Sequence, residues 1–205
     1  YEKFSPQYYL YEEMHKHQTL EYVKLKREQY SNLNNKKMKI KEALIALDTF
    51  VDPSDPDVDV PNSIHAYQTA ERIRKKYPKN IELQLTGLIH DLGKILFSFG
   101  EPNWSIVGDT YAVGCKFPES IVYYNTMKLN PDYYKYDKLG IYKENCGLDN
   151  LYISYGHDEY LYQVLHQNKG KHRISQKYMD VIRYHSFYPW HTSGAYRHLM
   201  KPSDY

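Results

Sequence analysis

Four histidines and one aspartate in this chain have the side chains that bind a cation: His65, His90 with its neighbour Asp91, His157 and His185. The densest signal is LTGLIHDLGKIL at Leu85–Leu96, where Leu85, Leu88, Ile89, Leu92 and Leu96 recur at the spacing of one helix face. Imidazole and carboxylate set into such a face are costly unless something satisfies them, and a bound cation suits both. All the donors are nitrogen or oxygen, a set that fits iron or manganese and does not exclude zinc. Asp91 has two oxygens, so it can bridge two ions. Lys94 follows His90 one turn later on the same face and would repel a metal but attract a phosphate, a carboxylate or an alkoxide. By itself a His-Asp pair on a helix is equally consistent with hydrogen-bonded core residues. Histidines arriving from distant parts of the chain would separate the two readings.

Helices must carry those histidines. Gln7–Tyr30 reads as one amphipathic helix, with His15 and His17 on its surface, followed by a polar run at Ser31–Lys37 and a second helix at Lys41–Phe50. Val51–Asn62 (VDPSDPDVDVPN) is an acidic, proline-rich loop of defined shape. Asn62 or Ser63 can cap a helix over Ile64–Tyr77, which holds His65 in its first turn and ends at Pro78. Asn80 caps the next helix, Ile81–Phe97, which bears His90 and Asp91. Gly100–Phe117 lacks periodicity and reads as a long ordered loop. A tyrosine-rich connector leads to a helix over Leu148–Gln167 with His157, then to Ser175–Ser186 with His185 at its end, the aromatic turn Phe187–His191 and the start of a helix at Tyr196–Met200. No convincing strand alternation is present, so the expected fold is all-α and a single domain over residues 1–205.

Composition narrows the function. A net charge of +2 from 27 basic and 25 acidic residues leaves no nucleic-acid footprint. No window reaches the ~20 apolar residues of a membrane span. Two cysteines, Cys115 and Cys146, cannot build a disulfide framework and read as reduced thiols of a cytoplasmic protein. The 24 tyrosines supply apolar area with a polar tip, mostly for half-buried positions.

Longer blocks carry a resemblance. DPSDPDVDVPNSIHAYQTAE, LIHDLGKIL, GEPNWSIVGDTYAVGC, GLDNLYISYGHDEYLYQV and RYHSFYPWHT are similar to the myo-inositol oxygenase family, di-iron proteins of the HD-domain superfamily, over about Met14–Tyr205. The resemblance implies an HD-domain-type helical bundle with long ordered loops that opens the ring of myo-inositol with O2 to give D-glucuronate, at a mixed-valent Fe(II)/Fe(III) pair. By motif, His65, His90 and Asp91 would ligate the first iron and His157 and His185 the second, with Asp91 bridging. Substrate contacts would fall on Asp52, Ser54, Lys94, Gly108, Asp109 and Ser186, and Lys94 and Asp91 would take part in catalysis. His166, His172, His191 and His198 match no ligand position. The family also implies a sixth ligand, an aspartate beyond the RYHSFYPWHT block, with a substrate-contacting lysine near it, and an arginine before Tyr1. The natural protein is therefore expected to be longer at both ends, and it is expected to be a monomer.

The chemistry agrees with the resemblance. A polyol presents only hydroxyls, so its site needs short polar groups at fixed positions. Hydroxyls bound to iron become more acidic, and Lys94 can stabilise the alkoxide that develops. Zinc has no accessible second oxidation state for such an oxidation. Two other functions compete. An HD-type phosphohydrolase would share the His-Asp pair and lysine but would be poorly served by the acidic Val51–Asp59 loop. A lapsed helical module would keep the fold without the site, although all five motif ligands are intact.

Overall fold

The structure, a computed structural model, describes residues 5–53 and 61–204. Its α-helices are α1 (Pro6–His17), α2 (Leu20–Gln29), α3 (Ile40–Leu47), α4 (Asn62–Lys76), α5 (Ile81–Ile89), α6 (His157–Gln167), α7 (Gln176–Tyr184) and α8 (Tyr188–His191). Short 3-10 segments join them, the longest at Leu92–Phe99. Among the described residues the only β-type pairing is one antiparallel bridge, Ala112 to Ile153, so the fold class is all-α. No helix there is long and apolar enough to cross a membrane. The chain groups into two units, one of Tyr1–Gln29, Gly108–Tyr155 and Ser186–Tyr205, the other of Tyr30–Val107 and Gly156–His185.

In the first unit, the helix expected over Gln7–Tyr30 is two helices. Buried Gln18 ends α1 because its side chain is committed elsewhere: Nε2 donates to the Tyr155 carbonyl at 2.7 Å, and Oε1 accepts from the Tyr155 amide at 2.8 Å. Thr19 Oγ1 then accepts from the Tyr22 amide at 3.1 Å as α2 begins. His17 is exposed as expected, but His15 is fully buried, because α1 packs on the 3-10 segment Tyr124–Leu129. The helix expected from Leu148 starts only at His157. Tyr152–Ser154 lies extended instead, with the Val113 amide donating to Tyr152 and the Ser154 amide to Tyr111, both at 2.8 Å. The long loop is ordered, as expected: Tyr111–Cys115 is buried throughout.

The second unit is a helical bundle, with α4 on α5, α6 on α7, and both α3 and α6 against the 3-10 segment Leu92–Phe99. Its core includes Leu47, Ile89, Leu92, Leu161, Met179 and Ile182. Asn80 caps α5, accepting from the Leu83 amide at 3.0 Å. Neither Asn62 nor Ser63 caps α4. Asn62 is its first residue, and its side chain donates to the Leu47 and Phe50 carbonyls at 3.1 and 2.7 Å, tying the end of α3 to the start of α4. Of the acidic loop, Ser54 and residues 55–60 lie outside the described residues.

Candidate metal centre

The continuous helix expected over Ile81–Phe97 breaks at its functional pair. The α-helix stops at Ile89, His90 follows as its C-cap, and Asp91 leads into the 3-10 segment. The break lets the chain pass very close to the start of α6. A Cβ on Gly93 would sit 1.8 Å from the His157 carbonyl oxygen, so only glycine fits there.

All five candidate ligands belong to the second unit, and Asp91 is their common point. Its Oδ1 lies 3.4 Å from His90 Nε2, 3.3 Å from His157 Nε2 and 3.5 Å from His185 Nε2, while His65 Nε2 lies 3.8 Å from Oδ2. The ligand atoms form two groups, each spanning less than 4.8 Å: His65, His90 and Asp91, and Asp91, His157 and His185. This is the division the resemblance implies, with Asp91 in both groups.

The backbone sets the tautomers of three rings. His90 Nδ1 faces the Gly87 carbonyl at 2.8 Å, His157 Nδ1 the Ile106 carbonyl at 2.7 Å and His185 Nδ1 the Ile182 carbonyl at 2.6 Å. A carbonyl can only accept, so each Nδ1 carries the proton and each Nε2 turns a lone pair toward Asp91. His90 and His185 each bond the carbonyl three residues back, satisfying a free acceptor at the ends of α5 and α7. Two helix C-termini, each with partial negative charge, therefore close on the site. The Nε2 atoms of His157 and His185 face each other at 3.0 Å. Two lone pairs at that distance repel unless a positive charge lies between them, and either a proton on one ring or a cation held also by Asp91 would supply it. The nitrogen and oxygen donors fit iron.

Lys94 is buried and sits between two carboxylates, 2.9 Å from Asp52 Oδ2 and 3.0 Å from Asp91 Oδ2. Three residues per turn in the 3-10 segment place Lys94 over Asp91, rather than over His90 as an α-helix would. Burial opposes the charge on Lys94, but Asp91 and Asp52 outweigh it and raise its pKa. Burial also opposes ionisation of Asp91. The Lys94 ammonium 3.0 Å from its Oδ2 nevertheless holds its carboxyl well below the usual range. Burial pushes His90 down to about 4, so at neutral pH it is an uncharged ligand and Lys94 is the charged neighbour.

Asp158 and Glu159 adjoin His157, but the Ile106 carbonyl is the group that orients its ring. Asp158 Oδ1 accepts from the Glu159 amide at 3.1 Å. Glu159 pairs with Arg183 at 2.6 and 3.2 Å, both side chains buried, which joins α6 to α7 two residues from His157 and His185. Neither Gly93 nor Ile106 was singled out from the sequence. The glycine in HDLGK was a visible signal, whereas a main-chain acceptor leaves none.

The remaining candidates are placed as follows. Asp52 is buried in the second unit beside Lys94. Gly108, Asp109 and Ser186 lie in the first unit. There the Ser186 carbonyl accepts from the Thr110 amide at 2.8 Å, and Asp109 Oδ1 accepts from Tyr11 Oη at 3.0 Å. Burial raises the Asp109 pKa despite that hydrogen bond. Cys115 and Cys146 are both free thiols, as expected.

Residues 7–205 match the family described as myo-inositol oxygenase. The inositol oxygenase of Mus musculus is 52% identical over 198 residues, covering 95% of this chain and 69% of its own length. That of Danio rerio is 49% identical, covering 95% and 70%. Inositol oxygenase 1 of Arabidopsis thaliana is 51% identical over 194 residues, covering 91% and 61%. The chain belongs to the myo-inositol oxygenase family.

Proposed function

We propose that the chain is an O2-dependent oxygenase that cleaves the ring of myo-inositol to D-glucuronate at two iron ions, one Fe(II) and one Fe(III). The reaction consumes one O2 and releases one water, a four-electron oxidation of the polyol. The observation that carries the reading is the single carboxylate, Asp91, shared by two groups of imidazoles whose Nε2 atoms all turn toward it. His65 and His90 would hold one iron, His157 and His185 the other, with Asp91 common to both. Bound there, iron supplies the redox equivalents and the Lewis acidity that makes a polyol hydroxyl acidic.

The chain's own residues do the rest. Lys94, kept charged by Asp52 and Asp91, meets the negative charge that develops on a substrate oxygen. Asp52 orients Lys94 and offers an acceptor to a hydroxyl. The three backbone carbonyls keep the histidines in the tautomer that binds metal. Ser54, Gly108, Asp109 and Ser186 are proposed as further substrate contacts on the family motif alone. A phosphohydrolase gains no support: its substrate would meet the carboxylates of Asp52 and Asp91, already committed to the buried ammonium of Lys94.

The test is anaerobic reconstitution of the protein with Fe(II), followed by metal analysis, EPR and product assay. Two irons per chain, an EPR signal of a coupled pair and D-glucuronate from myo-inositol are expected, and His157→Ala should abolish all three. A zinc-filled site, or hydrolysis of phosphate esters without inositol cleavage, would overturn the reading.

A further inference from the structure

A cavity in the bundle unit, of about 650 Å³, lies between the segment before α3, the 3-10 segment and α6. That volume is in the range of small-molecule sites, roughly 300–1,000 Å³. Its floor is apolar, with Ala43, Ile89, Leu92, Leu161 and Leu165 all belonging to the bundle core. Its rim is basic. Lys36, Lys37, Lys39 and Lys171 line it, all four exposed, and no lining residue is acidic. None of the four ammonium groups forms an ion pair with another described residue. Four like charges gathered at one mouth repel one another, in a chain whose total charge is only +2, and an anion placed among them relieves that. A hydrophilic anion would leave the floor unused, and a neutral hydrocarbon would leave the rim unused.

We propose that this cavity binds an anionic amphiphile, an alkyl chain that fills the apolar floor and ends in a carboxylate held by Lys36, Lys37, Lys39 and Lys171. A cavity of about 650 Å³ suits one chain better than a peptide, which would spread over a larger, flatter area. The site is distinct from the metal centre, and the reading does not depend on what happens there.

Isothermal titration with saturated fatty carboxylates of eight to twelve carbons, kept monomeric, tests it on the full chain. Affinity should rise about fourfold per added methylene, the equivalent of ~0.8 kcal/mol. Acetate, with the charge and no chain, and an alkyl glucoside, with the chain and no charge, should each bind at least tenfold more weakly. The triple variant Lys36→Glu, Lys37→Glu, Lys171→Glu, whose changes are all at exposed positions, should lose at least tenfold for the longest carboxylate and keep the wild-type melting temperature. Binding that ignores chain length or survives the triple charge reversal would overturn the proposal. Tighter binding of an acidic amphipathic peptide than of any carboxylate would overturn it too.

Discussion

Replacing Gly93 by alanine tests how the proposed metal ligands are positioned. The new Cβ would stand 1.8 Å from the His157 carbonyl oxygen and 2.9 Å from its Cα, whereas real Cβ contacts essentially never fall below 3.0 Å. The opposing atom is backbone, so no side-chain rotation relieves the clash. The 3-10 segment and the start of α6 must part by at least 1.2 Å, the difference between 3.0 and 1.8 Å. Metal–ligand distances tolerate only about 0.2 Å, so His157 can no longer share an ion with His185 and Asp91. Overpacking of this kind costs about 1–3 kcal/mol, which leaves the bundle folded. A displacement of about 1 Å at a reacting centre costs roughly 100-fold in rate. Gly93→Ala should therefore retain one iron per chain instead of two, lose the coupled EPR signal and turn over at least 100-fold more slowly, with a modest fall in Tm. Metal analysis after gel filtration, EPR and a melting curve on one sample read all of this. Two irons at wild-type affinity with unchanged turnover would refute the close approach as the device that sets the site.

Three further outcomes are expected. Arg183→Met removes the guanidinium from the buried Glu159 carboxylate, a change worth about 3–5 kcal/mol, and should lower Tm and loosen the iron proposed at His157 and His185 before the other; equal loss of both irons would contradict this. Lys94→Met should cut inositol turnover by about 100-fold or more while iron content, measured alongside, changes little. His15 folds as the neutral form: Thr126 Oγ1 donates to the Tyr123 carbonyl and so accepts from His15 Nδ1, leaving Nε2 buried without a partner. Burial lowers its pKa from 6.5 to about 3, so as pH falls below 6.5 the unfolded chain takes up a proton that the folded chain refuses. Stability should fall by about 1.4 kcal/mol per pH unit over that window, and His15→Gln should remove this part of the slope in urea titrations at pH 7 and 5.

The sequence by itself determined the candidate donor types, the helical class, the cap at Asn80 and the family, because donor identity, apolar period and long motif blocks are local properties of the chain. It also placed Asp91 at the junction of two ligand groups, through the motif. What it left open depended on partners distant in the chain. His15 is buried because Tyr111 and Thr126 meet it, and α1 ends at Gln18 because Tyr155 offers it both a donor and an acceptor. The break after Ile89 is the clearest instance. Leu85–Leu96 carries an unbroken α-helical period, yet the chain turns into a 3-10 segment where Gly93 meets the His157 backbone. That turn brings Lys94 over Asp91 and leaves the His90 ring to bond the Gly87 carbonyl near the end of its own helix. Periodicity reports which face of an element is apolar. The exact path of its backbone is decided by the tertiary contacts that face must make.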